Sequence, residues 1–181
     1  MKVGILGGSF DPPHLGHLLA AEKAIKKNRL DEVWFVPYNK RNLDKGKSEN
    51  PIIKSSNNLQ RLEMTKLAVK GHKKFKVLDI EIKRGGVSYA IDTVLELKKK
   101  HLNYEFFWIV GEDLIPELPK WKDYKRLIKE INFIKVDNIG NREENKISSS
   151  TIKKRITKGL GIIELVTYRV EQYIKKNKLY R

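Results

Sequence analysis

Gly7-Gly8-Ser9-Phe10-Asp11-Pro12-Pro13-His14-Leu15-Gly16-His17 is the stretch whose reading decides the fold of this 181-residue chain. It follows a short apolar run, Val3 to Leu6, that reads as a buried strand. It precedes Leu18, Ala21 and Ile25, spaced as one face of a helix. A glycine-rich turn therefore joins a first strand to a first helix. Such a turn presents backbone N–H groups and the positive end of a helix dipole, which suits a phosphate. Gly7 and Gly8 are expected to permit positive φ and a close approach of phosphate to the main chain, and Ser9 adds a hydroxyl donor. Pro12 and Pro13 stiffen the entry to the helix. His14 and His17 lie three apart, on one helical face, where both rings can donate to phosphate oxygens.

The spacing excludes other loops. It is not Gly-x-Gly-x-x-Gly, so a dinucleotide-binding turn is disfavoured, and no Gly-Lys-Ser or Gly-Lys-Thr makes it a P-loop. A zinc site on the two histidines is weak: the chain has no Cys, its other histidines are His72 and His101, and no metalloprotease glutamate lies between the pair.

Outward from this turn, apolar runs alternate with helical patterns. Strands are expected at Lys2–Leu6, Glu32–Val36, Phe75–Ile80, Glu105–Val110 and Asn132–Val136. Helices are expected at about His14–Asn28, Leu59–Val69, Ala90–Lys100, Tyr124–Ile131, Ser149–Lys158 and Glu164–Lys176. Continuous apolar strands interleaved with helices predict an α/β fold: a doubly wound, mainly parallel sheet with helices on both faces. Ligands in such folds bind at the carboxyl ends of strands, near the switch in strand order, and the first turn lies at such an end. Two polar stretches, Tyr38–Asn58 and Asp137–Asn145, lack periodicity; the first is long enough to read as a functional lid.

The length predicts one domain, residues 1–181, large enough for a real core. No apolar run spans a bilayer and no signal-peptide pattern opens the chain, so a cytoplasmic protein that does not engage a membrane is expected. The net charge of +16 invites a nucleic-acid partner, but lysine supplies 29 of the 38 basic residues, scattered in pairs and triples such as Lys26-Lys27 and Lys98-Lys99-Lys100. These read as solvated helix faces. A basic surface also attracts small polyanions.

Three further segments place polar groups at element junctions. Ser148-Ser149-Ser150-Thr151-Ile152-Lys153-Lys154-Arg155 sets hydroxyls ahead of a basic helix, a second anion site with Lys153 and Arg155 as cations; helix capping alone explains it equally well. Ser88-Tyr89-Ala90-Ile91-Asp92-Thr93 follows Gly85-Gly86 and opens a helix, which needs no ligand to explain it. Trp108-Ile109-Val110-Gly111-Glu112-Asp113, then Leu118-Pro119-Lys120-Trp121, puts Gly111 and Asp113 at a strand's carboxyl end. A carboxylate there accepts from ribose hydroxyls; the alternative is a capping Asp and a core Trp.

The first motif resembles the signature of the nucleotidylyltransferase superfamily, and within it that of the bacterial nicotinate-nucleotide adenylyltransferases. Alone it also fits phosphopantetheine adenylyltransferases and, more distantly, class I aminoacyl-tRNA synthetases. The other segments narrow the choice. The serine-rich stretch is similar to the superfamily's Ile-Ser-Ser-Thr-x-Ile-Arg, with Ser150 in place of Thr and Lys153 in place of Arg. Ser88–Thr93 is similar to Ser-Tyr-Thr-x-Asp-Thr, with Ala90 in place of Thr, and Gly111 to Trp121 to the Gly-x-Asp…Leu-Pro-x-Trp pattern. Arg61 and Met64 match an Arg-x-x-Met helix, though Arg61 read alone suggests a partner for a carboxylate. The loop after Pro37 lacks the family's Pro-His-Lys, leaving Lys40, Lys45 and Lys47 as substitutes.

The resemblance implies a Rossmann-like fold and adenylyl transfer from ATP to nicotinate mononucleotide, giving nicotinate adenine dinucleotide and pyrophosphate, without a covalent intermediate. It implies catalytic His14 and His17 and an ATP site of Gly7, Gly8, Ser9, Phe10, His14, His17, Gly111, Asp113, Ser149, Ser150, Lys153 and Arg155. Ser88, Tyr89, Ala90, Thr93 and Trp121 would meet the mononucleotide, with Trp121 stacked on the pyridine. No protein metal site is expected; Mg²⁺ would arrive on the ATP phosphates. Residues 149–181 would form a helical part that closes the ATP site, and a homo-oligomer is compatible with the sequence. Two alternatives stay open: a phosphopantetheine adenylyltransferase, and a non-catalytic basic nucleic-acid-binding domain, which would show steep salt dependence and no ATP turnover.

Overall fold

The computed structural model describes residues 1–39, 56–137, 141–142 and 145–181. Lys40, Lys45 and Lys47 lie outside the described residues. The chain runs β1 (Lys2–Gly8), α1 (Leu15–Asn28), β2 (Glu32–Pro37), α2 (Asn58–Val69), β3 (Phe75–Val77), α3 (Ile80–Arg84), α4 (Ala90–Lys100) and β4 (Glu105–Gly111). A 3₁₀ segment (Glu112–Lys120), α5 (Tyr124–Glu130), β5 (Asn132–Val136), β6 (Asn141–Arg142), β7 (Asn145–Lys146), α6 (Ser149–Thr157) and α7 (Tyr168–Lys176) follow.

Five strands form one sheet in the order β3-β2-β1-β4-β5, every pair parallel. Beside it, β6 and β7 make a two-residue antiparallel ladder. The expected mainly parallel sheet is therefore present. The central strands carry unbroken apolar runs because both their faces are covered. Val3, Ile5, Trp34 and Val36 face α4 and α5, with Ile91, Val94 and Leu127. Leu6, Val33 and Phe35 face α1, with Leu18, Ala21 and Ala24. A third apolar cluster joins α2 to the last two helices through Met64, Ile152, Val170, Ile174 and Tyr180.

Element boundaries depart from expectation in three places. The strand expected over Phe75–Ile80 ends at Val77, although the Leu78 N–H still reaches the Phe35 carbonyl at 2.9 Å. Ile80 instead begins the short α3, which closes at Gly85 with φ 72°. Alternation over so few residues does not separate a strand from a helical turn. The helix expected from Glu164 begins only at Tyr168, capped by Thr167. Upstream, the Leu165 carbonyl accepts from the Leu15 N–H at 2.9 Å, at the first turn of α1. The Glu112–Lys120 segment, holding Pro116 and Pro119, adopts 3₁₀ geometry that no apolar period announced. Among the described residues no helix is long and apolar enough to cross a membrane.

Candidate active site

β1 and β4 are neighbours where the strand order reverses, so their carboxyl ends flank the crevice in which open α/β sheets bind ligands. Gly7 and Gly8 end β1, and Gly111 ends β4. The expected positive φ is absent at both Gly7 and Gly8; the left-handed residue of the turn is Phe10, at φ 50°. What demands glycine is proximity. A Cβ on Gly7 would stand 2.9 Å from Trp108 Cζ2, and one on Gly8 3.0 Å from Phe10 Cζ. The Phe10 side chain is fully buried, so the turn offers a ligand its main chain, not that ring.

His14 is the N-cap of α1 and is buried at 4% exposure, while His17, one turn on, is partly buried. Their rings stack with centroids 3.7 Å apart, and Phe10 meets His17 edge-on at 4.9 Å. The His14 N–H donates to His17 Nδ1 at 3.1 Å. That contact fixes the tautomer: with Nδ1 as acceptor, the proton of neutral His17 sits on Nε2, ready to donate. Burial pushes His14 down to about 4. Burial, followed by the neighbouring His14 ring, holds His17 well below the usual imidazole value. Both rings are therefore neutral donors at pH 7 and not cations. NMR titration of the ring nitrogens should find both neutral from pH 8 down to pH 6, with the His17 proton on Nε2. A midpoint near 6.5 for either ring would contradict this environment.

The first turn of α1 offers fewer N–H groups than its sequence suggested. Leu15 N–H is taken by the Leu165 carbonyl and His17 N–H by the His14 carbonyl, at 2.9 and 3.0 Å.

α6 comes to the turn from the far end of the chain. Ser148 is its N-cap, accepting from Thr151 N–H at 3.1 Å. Ser149 Oγ donates to the Pro12 carbonyl at 2.9 Å, and Lys153 is ion-paired with Asp11. Ser149 and Lys153 therefore stand against the motif. Ser150 is exposed on the first turn, and Arg155 pairs with Glu164 at 2.7 Å. Asp11, quoted in the motif but given no role from sequence, is the hub. It is buried and accepts from Ser56 N–H at 3.2 Å, Tyr180 OH at 2.6 Å, the Ser56 hydroxyl and Lys153. Burial pushes its carboxyl up, but the hydrogen bonds from Lys153, Ser56 and Tyr180 outweigh that and hold it below the ordinary carboxylate value.

Across the crevice, Ser88 Oγ accepts from Asn39 N–H at 2.9 Å, joining the end of β2 to the entry of α4. Tyr89 is the N-cap of α4, its ring under the Lys122 ammonium at 4.5 Å, and Ala90 begins the helix. Thr93 is fully buried; its hydroxyl donates to Glu81 Oε1 at 2.6 Å and accepts from Arg84 at 2.8 Å. Thr93 lies beneath the segment, tying it to α3. Burial raises the Glu81 carboxyl, and bonds from Thr93 and Ser88 only partly offset this. Glu81, one residue past the expected strand, is buried on α3.

Arg61 lies at the junction of three segments. It is buried, and it grips carbonyls: Ser9 and Tyr38, each at 2.6 Å, together with Asn58 Oδ1 at 2.6 Å. It thereby links the loops that follow β1 and β2. Asp113 is exposed on the first turn of the 3₁₀ segment, beyond Gly111. Trp121 is half-buried, edge-on to Trp108 at 6.1 Å and to Phe133 at 6.4 Å, and lines a surface groove with Pro119, Tyr124 and Arg126.

A cytidylyltransferase-like family model matches residues 5–155. A curated relative from Bacillus licheniformis, named a nicotinate-nucleotide adenylyltransferase, is 38% identical over 191 residues, covering 99% of this chain and 98% of that protein. One of the same name from Halalkalibacterium halodurans is 40% identical over 195 residues, covering 99% and 91%. Among solved structures, the nicotinic acid mononucleotide adenylyltransferase of Plasmodium falciparum, complexed with NaAD, superposes with a TM-score of 0.76 at 23% identity, covering 99% of this chain and 97% of that one.

Proposed function

We infer the activity from one premise: the chain belongs to the cytidylyltransferase-like family, and within it to the nicotinate-nucleotide adenylyltransferases. It is a nucleotidyltransferase of NAD biosynthesis. It transfers the adenylyl group of ATP to nicotinate mononucleotide, releasing pyrophosphate. The observation that carries the chemistry is the neutral, tautomer-fixed His17 at the first turn of α1, in the motif whose Asp11 holds Lys153.

The mononucleotide phosphate is already an anionic nucleophile, so no protein nucleophile or general base is needed. It attacks the α-phosphorus in line; the bond to the bridging oxygen breaks and pyrophosphate leaves with the electron pair. Catalysis is then positioning and charge stabilisation. His17 Nε2–H donates to oxygens gaining charge at the reaction centre, with His14 beside it. The main chain of Gly7, Gly8, Ser9 and Phe10 lies along the phosphates. Ser149, Ser150 and Lys153 hold the outgoing phosphates, and Arg155 stands one turn behind, on Glu164. Gly111 gives the adenosine a flat wall and Asp113 accepts from ribose hydroxyls. Residues 149–181 close this side of the site.

Among the described residues no group of three or more His, Asp or Glu side chains is set to hold a metal ion. Mg²⁺ would arrive on the triphosphate and would neutralise phosphate charge there. ATP and nicotinate mononucleotide are the partners. α-³²P label from ATP should appear in the dinucleotide and γ-³²P label in pyrophosphate, with inversion at a chiral α-phosphorothioate. Retention of configuration would mean a covalent intermediate and would overturn direct transfer.

Ser88, Tyr89 and Ala90 place backbone N–H groups at the start of α4 for the nicotinate carboxylate. Thr93 shapes that segment from below. Trp121 presents its outer face to the pyridine while Trp108 and Phe133 brace its edges. Stacking of this kind contributes about 1 kcal/mol beyond area burial. Trp121→Ala should raise the mononucleotide KM about fivefold or more and leave the ATP KM nearly unchanged, and Trp121→Phe should recover much of the loss. A folded Trp121→Ala protein with both KM values normal would remove Trp121 from the site.

A further inference from the structure

The two oxygens of Asp11 have different work. Oδ1 accepts from Ser56 N–H, the Ser56 hydroxyl and the Tyr180 hydroxyl. Oδ2 takes Lys153. A carboxylate held by three donors on one oxygen cannot rotate, so the second oxygen points in one direction only. The ammonium of Lys153 lies at that oxygen and 5.2 Å from the Tyr180 ring. Tyr180 is 2% exposed and belongs to the apolar cluster of α2, α6 and α7, so its hydroxyl reaches Asp11 from a fixed platform. Ser56 Oγ lies 3.2 Å from the Tyr180 hydroxyl and closes the ring of contacts.

This arrangement answers a chemical need. A lysine is a flexible point charge on a four-carbon stem, whereas arginine binds phosphate through a rigid fork. A lysine assigned to an outgoing phosphate must be confined by its surroundings if its charge is to be in place. An ammonium has three donors, so a bond to Asp11 is compatible with a bond to phosphate.

We propose that Tyr180 and Ser56 are positioning residues for the adenylyl transfer: their hydroxyls orient Asp11 so that Asp11 holds Lys153 where the triphosphate binds. The inference rests on the role proposed for Lys153 above. It makes a residue beyond α7, more than 160 positions from the motif and without a role in substrate contact, a determinant of ATP affinity. The carboxyl of Asp11 sits below its ordinary value, as this orientation requires of an ionised partner.

The test is a double-mutant cycle with Tyr180→Phe and Lys153→Ala, read as the Kd for Mg·ATP by titration calorimetry and, separately, as the KM of each substrate in turnover. Tyr180→Phe keeps the buried ring and removes one hydroxyl; Ser56→Ala is the second probe of the same carboxylate. Thermal unfolding of each variant verifies the fold. Tyr180→Phe should weaken ATP binding about tenfold, the scale of one charge-assisted hydrogen bond, with the mononucleotide KM unchanged within about twofold. Ser56→Ala should move ATP affinity in the same direction. In the Lys153→Ala background, Tyr180→Phe should add almost nothing. An unchanged ATP Kd in folded Tyr180→Phe, equal changes for both substrates, or fully additive effects would overturn the inference. A wild-type protein that binds ATP but releases no pyrophosphate with nicotinate mononucleotide would overturn the proposed function instead, and the calorimetric cycle would still decide the role of Tyr180.

Discussion

Replacing His17 with alanine is expected to lower kcat by about 10²- to 10³-fold, the usual cost of removing one donor aimed at charge that develops in the transition state. The reason is local. His17 is neutral because burial and the His14 ring oppose its protonation, and its donor is Nε2–H because Nδ1 is engaged by the His14 amide. Such a donor is preorganised: nothing must reorient at the moment of reaction. The KM values should change far less, since ground-state phosphates keep their contacts with the turn and with α6. His17→Asn, which offers an N–H donor on a shorter side chain, should recover part of the loss. Stopped-flow turnover of a folded His17→Ala protein is the measurement, and a kcat within a few-fold of wild type would remove His17 from the reaction centre.

Arg61→Ala should be the most destabilising single change at the site, by about 3 kcal/mol, which for a chain of this length lowers Tm by roughly 6–12 °C. The guanidinium is buried and donates to the carbonyls of Ser9 and Tyr38 and to Asn58 Oδ1. Alanine leaves these acceptors unpaired in a place water reaches poorly, and an orphaned acceptor costs more than the bond itself contributed. Activity should fall with stability, because Ser9 belongs to the turn proposed to bind phosphates. Arg61→Lys should rescue little: an ammonium cannot span carbonyls from two separate loops in the plane of one fork. Calorimetric unfolding decides it; a Tm within about 2 °C of wild type would show that the two loops hold without Arg61.

These two residues illustrate what a sequence of this kind discloses. The pairing of His14 and His17 at the start of α1 was legible because three-residue spacing puts both rings on one helical face. The parallel sheet was legible because strands covered on both faces must be apolar throughout, as Val3–Leu6 and Trp34–Val36 are. Arg61 was visible as part of a pattern, but its partners include the Ser9 and Tyr38 carbonyls, and no side-chain pattern marks a carbonyl that needs a donor. Asp11, Ser56, Lys153 and Tyr180 come from four separate segments and meet only in the fold. Of the two reasons the sequence offered for Gly7 and Gly8, positive φ does not apply; the Trp108 and Phe10 rings that crowd them cannot be assigned to them from sequence. Ile80–Arg84 and Glu112–Lys120 escaped because each is too short, or too interrupted by proline, for a period to emerge.

The central claim is that this chain couples ATP to a pyridine mononucleotide through its phosphate. Pyrophosphate release by the purified protein with ATP and Mg²⁺, compared across nicotinate mononucleotide, nicotinamide mononucleotide and phosphopantetheine, tests it most directly. The account predicts the highest kcat/KM with nicotinate mononucleotide, formation of nicotinate adenine dinucleotide in equal molar amount to pyrophosphate, and no release with phosphopantetheine. Turnover confined to phosphopantetheine, or none with any of the three in a protein that binds ATP, would contradict it.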